Sequence, residues 1–275
     1  MVKQLKQIEQ EIATLEKKIV DLAKELQDIY SKYMTLLGES LQKQLVLASY
    51  QVCTQAYPEA FLHLSVDQRQ HLQQSIQQIA KQTQTNLLSL LEVPSQSSSS
   101  EDGVEEENNE HDHNLDPEVE QINFQDNLPD KLLLWSAYVE KGIMNLLQNA
   151  SQETNRLLLE KDILQKHIPN KVLEAAVEAE EANSPGSGPP NIINLLVEVE
   201  TEENEIEGIP TPITAVNLRL PEIEFAHPPL NTERNQIRGL NMKLKRMRKQ
   251  YKKKQQVKAI AEAESAWRSS WFEGS

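Results

Sequence analysis

The chain has 275 residues, with 28 lysines and arginines against 42 aspartates and glutamates, for a formal net charge of -14. Only 38% of its residues are hydrophobic and 5% aromatic, and its mean hydropathy is -0.58, which argues against one large globular core. The acidic balance excludes a uniformly basic binder of nucleic acid or membrane. A single cysteine, Cys53, excludes an intrachain disulfide framework and a multi-thiolate metal site. No apolar run approaches the roughly 20 residues needed to cross a bilayer, and the first residues lack a continuous signal-peptide core. The expected location is the cytoplasm.

Residues 1–92 are predicted to be a coiled-coil and helical region. Leu5, Ile8, Ile12, Leu15, Ile19, Leu22, Leu26, Ile29, Tyr33 and Leu36 recur at gaps of three and four. This stripe needs a partner helix along its length, from a second copy of the chain or from the chain's own C-terminal helix. Tyr33 predicts a wider, partly polar seam. Gly38 and Ser40 loosen the pattern, so a second helix is predicted over residues 40–57, broken by Pro58 with a turn around YPEAF. A third is predicted to start at Ser65, with Gln68 at the capping-box position. Its apolar face is Leu72, Ile76, Ile79, Ala80, Thr83, Leu87, Leu90 and Leu91. The twelve glutamines between positions 42 and 84 suit a solvated helical face.

Residues 93–128 read as a disordered acidic linker, with eleven acidic residues and no lysine or arginine between 95 and 127. His111, Asp112, His113 and Asp116 lack the fixed geometry of a dedicated metal site. Screening of the basic C-terminal segment is a further reading of this tract. Residues 129–182 form the predicted middle helical region. Leu132, Trp135, Val139, Ile143, Leu146 and Leu147 lie on one side, continued by Leu158, Leu159, Ile163 and Leu164. Gly142 marks close packing or a bend. A Pro/Gly linker is predicted at residues 183–190. A short β element follows at 191–230, with strands in IINLLVEVE and AVNLRLPEIEF that need a helix or a dimer to pack on.

Residues 231–275 are predicted to be a basic helix with an aromatic end. Ile237, Leu240, Leu244, Met247 and Tyr251 form a second pairing stripe, while from Arg234 to Lys258 there are eleven basic residues and no acidic one. Arg238, Lys243, Lys245, Arg246, Arg248, Lys249, Lys252, Lys253 and Lys254 make a basic patch able to meet phosphates, an anionic surface or an acidic patch. Trp267, Trp271 and Phe272 form an aromatic anchor, expected to dock on the chain's own body or on a partner.

The nucleophile-elbow, P-loop, zincin and cysteine-rich patterns are missing, and Cys53 with His63 makes only a weak dyad beside the reading of a buried structural thiol. The chain therefore reads as non-enzymatic, without cofactor or metal. The stretches SYQVCTQAYPEAFLHLSVDQRQHLQQSIQQIA and AIAEAESAWRSSWFE resemble conserved cyanobacterial proteins of unsettled biochemical function. That resemblance covers about half the chain and implies a cytoplasmic cyanobacterial protein, with a regulatory adaptor as one conceivable role. The whole reads as a mainly α helical bundle and coiled coil, elongated, with a small β element. Its expected work is interaction or scaffolding, by self-association or with another protein. Nucleic-acid binding through the basic helix is the alternative, and membrane binding is disfavoured.

Overall fold

The computed structural model describes residues 2–91, 128–164, 189–198 and 210–272. The fold is mainly helical with one small sheet. Its elements are α1 (Val2–Gln51), a π-helical turn (Val52–Ala56), α2 (Pro58–His63), α3 (Val66–Ser89), α4 (Leu128–Glu160), β1 (Ile192–Glu198), β2 (Pro210–Val216), α5 (Leu220–Ala226) and α6 (Pro228–Phe272). The predicted linkers lie outside the described residues except at their edges, as do His111, Asp112, His113 and Asp116. No described helix is long and apolar enough to cross a membrane.

Two compact units are present. The first comprises the described parts of residues 1–28, 92–138 and 237–275, and the second those of 29–91 and 139–236. In the first, ion pairs fix helix direction. Lys243 approaches Glu25, Tyr251 donates to Glu16 at 3.0 Å, Lys254 pairs with Glu11, and Lys258 reaches Glu9 at 3.5 Å. Rising numbers on α6 meet falling numbers on α1, so these helices run antiparallel. Lys252 meets Asp130 at 3.2 Å and Ser136 bonds Asn241, which sets α4 antiparallel to α6 as well. Of the two partners that the heptad stripe left open, the chain's own C-terminal helix is the one beside it. Ile8, Ile12, Ile19, Leu22 and Leu26 are buried within a single chain, as are Ile237, Leu240, Leu244, Met247 and Tyr251. Leu5 and Leu15 are half-buried.

In the second unit α1 continues without a break through Gly38, contrary to the predicted second helix at 40–57. The seam runs on through Ile29, Tyr33, Leu37, Leu41 and Leu45, all buried, while Leu36 is half-buried. Gly38 is a site of close approach: a β-carbon there would lie 2.5 Å from Gln84 Cγ of α3. Gly142 of α4 makes a similar approach to Leu90. Tyr57 N–H bonds back five residues to Val52 O, widening the last turn before Pro58. Pro58 opens α2 where a turn was expected, because proline suits a first helical position. The capping box of Ser65 and Gln68 starts α3, and Leu72, Ile76, Ala80, Thr83 and Leu87 form its buried face.

The hairpin pairs β1 with β2 antiparallel, from Ile192 opposite Val216 to Glu198 opposite Pro210. The second strand thus ends where AVNLRL was expected to begin, and LPEIEFA is helix α5 with Pro221 in its first turn. Pro210 and Pro212 fit β2 because a two-stranded sheet has free edges that need no donor. Such a sheet is marginal by itself. Asn155 of α4 closes its edge, donating to Val216 O at 2.8 Å and accepting from Val216 N at 2.9 Å, while Ser151 accepts from Leu218 N at 2.9 Å. Tyr57 accepts from Thr214 N at 2.8 Å.

Candidate interaction surface

Helix α6 sorts its charges by direction. At 3.6 residues per turn, Ile237, Leu240, Leu244, Met247 and Tyr251 share the face turned inward. Lys243, Arg248, Lys252, Lys254 and Lys258 flank that face, and each pairs with a carboxylate of α1 or α4. The bond from Lys254, reinforced by its charge, holds the Glu11 carboxyl below its usual range. Arg238, Lys245, Arg246, Lys249 and Lys253 fall within an arc of about 100° on the opposite side, over about 22 Å of helix. All five are exposed and make no ion pair with a described residue. The basic patch thus divides into four cations spent on internal pairing and five directed outward.

The outward face changes chemistry beyond Lys253. Val257 is 39% exposed, Ile260 52% and Trp267 67%, and they continue the angular line of the unpaired cations. The Trp267 side chain is thus mostly exposed, where docking on the chain's own body was one of its two expected placements. Trp271 and Phe272 belong to the helix, with their side chains outside the described set. Val257 and Ile260 also fall outside the inward seam, which ends at Tyr251.

A separate constellation in the second unit had no motif to announce it. Arg234 of α6 donates from Nε to Glu224 Oε1 of α5 at 2.6 Å and from an Nη to both Glu140 oxygens of α4 at 2.6 and 2.7 Å. A further Nη donates to Tyr33 Oη of α1 at 2.6 Å, and the guanidinium lies 4.5 Å from the Tyr33 ring centroid. Tyr33 donates in turn to Glu224 at 2.6 Å, and Tyr30 donates to Glu140 at 2.8 Å. Burial pushes the Tyr33 hydroxyl well above the ordinary tyrosine range; the charge of Arg234 opposes this and the Glu224 bond reinforces it. Desolvation alone lowers the Arg234 pKa, but Tyr33 and the Glu140 and Glu224 carboxylates more than reverse it, so the guanidinium is held firmly in its charged form. The partly polar seam expected at Tyr33 is this cluster. The sequence sign for Arg234 was its phase: Leu230, Arg234 and Ile237 follow the seam spacing, which puts a cation at a buried position.

These groups are saturated by one another and lock helices together; they leave no lone nucleophile beside a base. Cys53 is buried, and burial pushes its thiol up to about 11, so it is a poor nucleophile at neutral pH. His63 is exposed at the end of α2. Among the described residues no three His, Cys, Asp or Glu side chains cluster to hold a metal. A shallow groove of about 230 Å³ lies between Val20, Ala23, Lys24 and Gln27 of α1 and Leu128, Lys131, Leu132 and Trp135 of α4. It presents no convergent set of polar groups. Comparison with known proteins found no matching family, no similar curated protein and no similar solved structure.

Proposed function

We propose that the chain is a non-enzymatic interaction protein, a cytoplasmic scaffold or regulatory adaptor that engages its partner through the outward face of α6. The carrying observation is the division of that helix: one face is consumed by packing, and the opposite face presents five cations that make no ion pair among the described residues, followed by the exposed Val257, Ile260 and Trp267. An exposed tryptophan on a rigid helix is a suitable anchor, since it buries a large area at little entropic cost. The seam from Leu5 to Leu36 has a structural task in this reading, holding α6 in place.

Photo-crosslinking residues at positions 249 and 267 of the full chain, produced in cyanobacterial cells as the resemblance implies, test the proposal. Discrete protein adducts at both sites are expected, those at position 249 being lost on Trp267→Ala, with none from position 73, which is exposed on α3. Absence of adducts, or equal adducts from position 73, overturns it. The second reading, nonspecific nucleic-acid binding, draws on the same row of outward cations. Nucleic-acid adducts released by salt would favour it. Four of the nine patch residues, Lys243, Arg248, Lys252 and Lys254, already face carboxylates, which reduces the charge available to phosphates.

A further inference from the structure

The order of chemistry along α6 narrows the kind of partner, on the premise that its outward face is the docking surface. After Arg238 and the exposed Met242, this face is cationic from Lys245 to Lys253; from Val257 to Trp267 it is apolar, with Glu264 on the same side. The two zones follow one another along the axis. A bilayer surface is matched by a different layout, an apolar stripe flanked laterally by cations along its whole length. A nucleic-acid strand carries phosphates at regular intervals, so one continuing past Lys253 would bring phosphates over Val257, Ile260 and the Glu264 carboxylate. A second copy of this face in antiparallel alignment would set cations on apolar side chains, and in parallel alignment cations on cations.

We infer that the partner is an acidic protein segment whose carboxylates are confined to one half and whose apolar side chains are confined to the other. The carboxylates meet Lys245, Lys249 and Lys253, which recur every four residues, about 6 Å apart along the axis. The apolar half covers Ile260 and Trp267, beyond the point where the cations end. From Arg238 to Trp267 the face is about 44 Å long, the reach of about 13 residues of extended peptide.

The experiment uses the full chain and fluorescent synthetic peptides of about 13 residues. One has a glutamate half and a leucine- and phenylalanine-containing half, and another has the reversed sequence to cover both chain directions. A third has the same composition with acidic and apolar residues interleaved, and a single-stranded oligonucleotide of equal charge completes the set. Binding is read by anisotropy. One of the two segregated peptides is expected to bind at least about tenfold more tightly than the interleaved peptide or the oligonucleotide. The K245E/K249E/K253E variant and the I260A/W267A variant are each expected to weaken it by about tenfold or more, with helical circular dichroism unchanged because all five side chains are exposed. Equal binding of the interleaved peptide, tighter binding of the oligonucleotide, or indifference to both variants overturns the inference. Protein adducts at positions 249 and 267 without segregated-peptide binding would remove this partner class and leave the docking function standing. Absence of both would remove both.

Discussion

Replacing Arg234 by methionine removes the one cation shared by Glu140, Glu224 and Tyr33 while keeping most of the side-chain volume. The Glu224 side chain is only 9% exposed, so its carboxylate would be stranded with Tyr33 as its remaining side-chain donor. Removing one member of a buried ion pair costs about 3–5 kcal/mol, most of it from the charge left behind. Glu140 is 36% exposed and rehydrates, so its share is nearer that of a surface pair, below about 1 kcal/mol. A loss of about 3–5 kcal/mol is therefore expected for the second unit, a large part of the total stability of an ordinary domain. Arg234→Met combined with Glu224→Gln should recover about half of it, since the stranded charge is gone while the amide still meets Tyr33. Urea unfolding followed by circular dichroism gives the totals. Hydrogen exchange over residues 30–45 and 139–155 assigns the loss to the unit that contains the cluster. A cost below about 1 kcal/mol, the value for an exposed pair, would refute the reasoning, as would a double variant no more stable than the single one.

The remaining tests concern the sheet edge, two glycines and alkaline pH. Asn155→Ala leaves the buried N–H and C=O of Val216 without their partner and should cost about 2–4 kcal/mol, with amide exchange at Val216 accelerated; retained protection there would contradict the edge-closing role. Gly239→Ala, where nothing lies within 4 Å of the new β-carbon, should stabilise by about 0.5–1 kcal/mol. Gly38→Ala should instead lower the melting temperature, because crowding against Gln84 costs about 1–3 kcal/mol and outweighs the helix propensity gained; an unchanged or higher midpoint would remove the close approach. Burial also raises the hydroxyl of Tyr57, against the opposing Thr214 bond, in addition to that of Tyr33. Above about pH 10 the unfolded chain releases tyrosine protons that the folded chain keeps, so stability is full below that pH and declines above it. Tyrosinate absorbance should show Tyr33 and Tyr57 ionising only with loss of helical signal. Ionisation of Tyr33 and Tyr57 before unfolding would sink this account.

Helix existence was legible wherever a three-four repeat ran long, as from Leu5 to Tyr33 and from Ile237 to Tyr251, because periodicity is a local property. The Ser65 cap was legible for the same reason. Gly38 misled because a glycine weakens a helix by propensity, while its actual role, admitting Gln84, depends on a helix more than forty residues away. The second strand was misplaced because Pro210 and Pro212 resemble loop residues until the sheet is known to have only two strands. Asn155 could not be found by pattern, since its partner is backbone 61 residues distant. The outward cations were visible as a charge run, but their separation from the paired ones required α1 and α4 in place.

The Arg234 cluster also imposes a schedule on the newborn chain. Its bond to Tyr33 spans 201 positions, and at about 5–20 residues per second the ribosome needs roughly 10–40 s to deliver the second residue after the first. Glu140, made partway through that interval, waits 94 residues for its cation, and the buried α1 seam from Ile8 to Leu26 waits for α6. Nascent chains stalled before residue 234 should therefore carry an uncovered leucine stripe, making them clients for chaperones and liable to clump with one another, a hazard that ends once α6 emerges and settles along α1.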